Sequence, residues 1–91
     1  MKVENVKIES SGIDKRNWSV EVDNNTIRVE NTFSTVKLLV NDKVQDVYFG
    51  IVGAPHLTGK LPDGKEIKAV IGETLKLRCY IFVDHELVLE G

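Results

Sequence analysis

The chain has 91 residues, 42% hydrophobic and 29% charged, with twelve basic against fourteen acidic side chains and a net charge of −2. That length supports one compact domain over residues 1–91. The composition excludes a collagen-like or disordered chain and a strongly basic nucleic-acid binder, and a single cysteine excludes a disulfide scaffold.

Met1 to Asn5 has neither the basic start nor the long apolar run of a signal peptide. The longest apolar stretch, Val47 to Ala54, is far shorter than the roughly 20 residues that span a bilayer. With Cys79 unable to form an internal disulfide, these features are read as a reduced, cytoplasmic setting without a membrane segment. The sequons Asn17-Trp18-Ser19 and Asn24-Asn25-Thr26 are accordingly read as chance matches.

A first strand is predicted over Val3–Glu9, followed by a loop over Ser11–Asn17. Trp18, Val20 and Val22 then alternate with Ser19, Glu21 and Asp23, and Ile27 and Val29 alternate with Arg28 and Glu30. This period of two places apolar side chains on one face of two successive strands. Between them Asp23-Asn24-Asn25-Thr26 is a tight-turn sequence. A type I′ hairpin turn centred on Asn24-Asn25 is expected, because Asn tolerates positive φ.

The device recurs. Val36–Val40 runs into Asn41-Asp42-Lys43 and then Val44–Tyr48, and Leu75–Val83 runs into Asp84-His85-Glu86 and then Leu87–Leu89. Three times Val is followed by an Asp or Asn turn, without a fixed period that would make a true repeat. Leu61-Pro62-Asp63-Gly64-Lys65 is a fourth turn, between a strand near Leu57–Leu61 and another over Glu66–Ile71. Gly50, Gly53 and Pro55 punctuate the chain between the hairpin pairs. No window of eleven or more residues repeats apolar positions at helical spacing without competing period-two alternation, and alanine occurs only at positions 54 and 69. The fold class is therefore all-β: an antiparallel β-sandwich or small barrel of hairpins, seven to nine short strands, no substantial helix. Trp18, Val20, Val22, Leu38, Leu77 and Ile81 are expected to share one core.

Residues that could carry chemistry do not form a recognised motif. His56, Cys79, Asp84, His85 and Glu86 lack metal-ligand spacing. Cys79 falls on the apolar phase of its strand, where a thiol is a small hydrophobe rather than a nucleophile. No nucleophile elbow or phosphate loop occurs, and the paired carboxylates lie in or beside turns. No catalytic residue, metal or cofactor is assigned.

Aromatic residues stand out instead. Tyr80 and Phe82 lie on the phase opposite Leu77, Cys79 and Ile81, together with Lys76 and Arg78, and Tyr48 and Phe49 form a second pair. Residues 60–78 hold Lys60, Lys65, Lys68, Lys76 and Arg78 against Asp63, Glu66 and Glu73. An acidic chain as a whole argues against counterion-release binding to nucleic acid.

The order Trp18-Ser19-Val20-Glu21-Val22-Asp23, Thr26–Glu30, Val36–Lys43 and Leu77–Leu87 resembles the Fas apoptotic inhibitory molecule family over about residues 18–48 and 75–88. That family has a Trp-initiated strand and hairpins that enter turns of similar pattern. Its turn glycines are replaced here by Asp42 and His85, and the Val3–Glu9 segment precedes the matching region. The resemblance implies an antiparallel sandwich without catalytic residues and carries over no functional residue.

Two functions are expected. One is a non-enzymatic module that acts through contact with another protein or by self-association, using Tyr48, Phe49, Lys76, Arg78, Tyr80 and Phe82. The other is a small-ligand or oligonucleotide-binding barrel using the Lys76, Arg78, Tyr80 face.

Overall fold

A computed structural model describes residues 1–10, 15–32, 34–50, 55–73 and 77–91. Its strands are β1 (Val3–Ser10), β2 (Arg16–Val22), β3 (Asn25–Thr32), β4 (Thr35–Val40), β5 (Lys43–Phe49), β6 (His56–Lys60), β7 (Glu66–Glu73), β8 (Leu77–Val83) and β9 (Glu86–Glu90). All neighbouring strands are antiparallel. β1 to β5 form one sheet in chain order and β6 to β9 a second, with no closed barrel and no helix among the described residues.

The turn chemistry sets this meander. Asp23 and Asn24, Asn41 and Asp42, and Asp84 and His85 all have φ between +48° and +69°. Two successive residues at positive φ make a type I′ turn, whose twist matches the flanking strands. The closing pairs are Val22 with Asn25, Val40 with Lys43, and Val83 with Glu86. The first turn thus lies one residue earlier than the expected Asn24-Asn25 centre, whereas the other two begin where their Asn41 and Asp84 clusters begin. Asn25 is the first residue of β3, not a central turn residue, and Lys43 already belongs to β5. Of the loop expected over Ser11–Asn17, residues 11–14 lie outside the described residues, while Arg16 and Asn17 belong to β2 and pair with Asn31 and Glu30 of β3. The fourth turn is as expected: Gly64 N–H donates to Leu61 O, and Gly64 takes φ +95°.

Alternation then builds the core. Trp18, Val20, Val22, Ile27, Val29 and Leu38 of the first sheet meet Leu57, Ala69, Ile71, Cys79, Ile81 and Val83 of the second in one buried cluster. Five of the six expected core residues lie in it, and Leu77 packs half-buried against it. The Trp18 indole N–H donates to Gly91 O at 2.9 Å, so the largest core side chain leaves no polar atom unpaired. A radius of gyration of 12.1 Å matches the ~12 Å expected for this length in one compact unit.

The two long sides of the molecule differ. On one, a bulge between Leu38 and Leu39 makes Gln45 the extra residue of β5 and aims Gln45 and Asp46 at the edge of β6. Gln45 accepts from Lys60 N–H at 2.7 Å and donates to Lys60 O at 2.9 Å, while Asp46 accepts from Thr58 N–H at 2.9 Å. Two side chains thereby replace a strand ladder between the sheets. On the other side β1 is the edge strand of the first sheet and is exposed along nearly its whole length.

Candidate interaction face

The outer face of the second sheet is laid out by register. Thr58, Lys68, Phe82 and Leu87 form one row across β6 to β9, and His56, Val70, Tyr80 and Glu90 form the next. Gly72 and Arg78 follow, and Lys60 and Glu66 lie at the other end. Val70, Tyr80, Phe82 and Leu87 are consequently neighbours on this face. Tyr80, Phe82 and Val70 are half-buried and Leu87 is exposed. Cys79 and Ile81, one step away on the same strand, are fully buried.

The face is edged by cations. The Arg78 guanidinium lies 6.0 Å from the centroid of the Tyr80 ring, within cation–π range, and Lys68 is the direct cross-strand neighbour of Phe82. Beside Phe82 a surface groove of about 470 Å³ runs toward the Asp84-His85 turn, bordered by Thr58, Lys60, Lys68 and His85. Its volume is in the range of small-molecule sites.

The structure divides the residues singled out in the sequence. Arg78, Tyr80 and Phe82 share the outer face of the second sheet. Tyr48 does not join a surface patch: it stands opposite Val36, faces inward and packs against the core. Its neighbour Phe49 points outward from the first sheet and is 76% exposed. Tyr48 and Phe49 are therefore not one surface pair, because alternation sends adjacent strand residues to opposite faces. Lys76 lies outside the described residues.

Val70 and Leu87 were missed. Val70 sits in Ala69-Val70-Ile71, where apolar residues on both phases signal a second apolar face, as Tyr80 and Phe82 do in β8. Sequence alone reads Leu87–Leu89 as an ordinary strand after the Asp84-His85 turn. A bulge between Ile81 and Phe82 instead puts Leu87 opposite Phe82 on the outside while Val88 and Leu89 are buried.

Burial pushes the Cys79 thiol up to about 12, the opposite of an activated nucleophile. Among the described residues no group of three or more His, Cys, Asp or Glu converges on a common point.

Comparison with known proteins yields no match: no family model, no curated protein and no solved structure corresponds to this chain. The class its geometry defines is a two-sheet antiparallel β domain, with nine strands among the described residues and an apolar, cation-edged outer face.

Proposed function

We propose that this protein is a non-enzymatic β module that binds another protein through the outer face of its second sheet. The observation that carries the reading is the joint placement of Val70, Tyr80, Phe82 and Leu87 on that face. Aromatic anchors surrounded by polar residues are the usual energetic centre of a protein interface. The Arg78–Tyr80 contact and Lys68 beside Phe82 favour a partner that offers an apolar anchor flanked by carboxylates. The resemblance to the Fas apoptotic inhibitory molecule family supports the same class, a sandwich without catalytic residues. A cytoplasmic setting belongs to this reading, supported by the single unpaired Cys79.

The test compares Phe82→Ser with Ile81→Ser. Ile81 is in the core, so its substitution leaves a buried hydroxyl and is expected to unfold the domain. Phe82→Ser is expected to keep the circular dichroism spectrum and melting transition while losing capture of the partner. Loss of fold in both variants overturns the reading, as does equal capture by the wild type and Phe82→Ser.

The groove supports a second reading, an anionic small ligand or oligonucleotide held by Lys60, Lys68 and His85 against the Phe82 ring. Retention on heparin or on a single-stranded oligonucleotide at about 0.15 M salt would favour it.

A further inference from the structure

Among the described residues no strand pairs with the outer edge of β1, and that edge carries a self-complementary pattern. Pairing of Val22 with Asn25 across a two-residue turn makes it a hydrogen-bonded pair, so the even residues of β2 bond to β3 and the odd ones to β1. Lys7 opposite Ser19 and Glu9 opposite Asn17 therefore use their backbone groups toward β2. Ile8 and Ser10, between and beyond them, direct their N–H and C=O groups to the open edge. The bulge between Glu4 and Lys7 resets the phase, so that Val3, Val6 and Ile8 share the inward side of β1. They are 40%, 50% and 40% exposed, and Ile8 lies against Gly91 at the end of β9.

We propose that β1 pairs with β1 of a second copy of this chain, antiparallel about a two-fold axis at Ile8, to make a continuous ten-stranded sheet. In that register Ile8 faces Ile8 of the second copy and Val6 faces Ser10, with about six backbone hydrogen bonds, two for each facing pair. On the outer side Lys7 stands opposite Glu9 of the second copy, twice by symmetry, and both side chains are exposed and available. A two-residue slip toward the N-terminus would set Lys7 against Lys7, so charge selects the register. A second copy is the occupant because the strand's own reversed sequence meets the hydrogen-bond phase, the apolar side and the charge order at once. The opposite seam offers no such edge, since Gln45 and Asp46 already occupy the backbone groups of Thr58 and Lys60.

Sedimentation velocity over a range of concentrations is expected to show a monomer–dimer equilibrium for the wild type. Lys7→Glu places Glu against Glu twice and is expected to weaken dimerisation about tenfold or more. The double variant Lys7→Glu/Glu9→Lys restores opposite charges and is expected to return the affinity to near the wild-type value. Amide exchange at Ile8 is expected to slow as concentration rises in the wild type and in the charge swap. Phe82→Ser, on the other sheet, is expected to leave the equilibrium unchanged, which separates this interface from the one proposed above. A wild type that stays monomeric at millimolar concentration overturns the proposal. So does a dimer indifferent to Lys7→Glu, or one abolished by Phe82→Ser.

Discussion

Each two-residue hairpin turns a backbone carbonyl away from the strand beside it, and a side-chain oxygen takes its place. Asp84 N–H donates to Glu66 O, as a continuing strand would, but Glu66 N–H finds Asp84 Oδ1 at 2.8 Å instead of a carbonyl. Asn41 does the same for Thr26, and Asp23 for Lys2. Only Asp and Asn combine a short acceptor with tolerance of positive φ, which explains why Val-Asp or Val-Asn recurs three times. Asp84→Ala and Asn41→Ala are expected to lower the unfolding free energy by about 1 kcal/mol each in urea titrations, and Asp84→Asn to be nearly neutral. Asn24→Gly, at φ +65°, is expected to be neutral or stabilising. The same change at Asn25 removes a strand side chain and is expected to cost about 0.5–1 kcal/mol.

Asp23 also carries a pH dependence. The Lys2 N–H bond holds its carboxyl below the usual 3.8, and Lys65, 3.4 Å away, adds to this. Lys65 likewise lowers Asp63 through their ion pair and is itself raised by it. A depressed carboxyl contributes stability that is present above its unfolded pKa and lost as pH falls through the folded value. Acid titration of the melting temperature is expected to show such a loss below about pH 4. Asp23→Asn, which keeps the acceptor without the charge, is expected to flatten it.

At the scale of the strand, β8 holds two faces with different duties. Its odd residues Cys79, Ile81 and Val83 are fully buried while Tyr80 and Phe82 look outward. Ile81→Ala is expected to cost about 2–5 kcal/mol, against less than about 2 kcal/mol for Leu77→Ala, whose side chain is only half-buried. Equal losses in denaturant melts would contradict this order. Cys79, buried and unionised, is expected to stay unreactive toward thiol reagents at pH 8 until the domain unfolds.

The molecule as a whole is held by one core and one stitched seam. Gly59 belongs to that seam: a Cβ there would overlap Gln45 Oε1 and come within 3.1 Å of Leu38 Cδ2. Gly59→Ala is expected to push Gln45 off Lys60 and cost about 1–3 kcal/mol, with faster amide exchange at Thr58 and Lys60. Gln45→Ala opens the same seam without the overlap and is expected to raise exchange at Lys60 with a smaller loss of stability.

The sequence by itself determined the class, the presence of the hairpins and five of the six inward residues expected from phase. Period-two alternation and turn chemistry are local properties, written within about ten residues of chain, and Trp18, Val20, Val22 and Ile81 follow from phase alone. It also marked Tyr80 and Phe82 as facing away from the core. Only the tertiary structure decided that the nine strands of the described residues split into sheets of five and four, that Tyr48 turns inward, and that Leu87 joins Phe82. Bulges at Gln45 and near Asn5 and Val88 break the alternation, and a bulge exists only between two strands. Which edge is sealed and which is open depends on pairings between residues far apart in the chain, where no local pattern reaches.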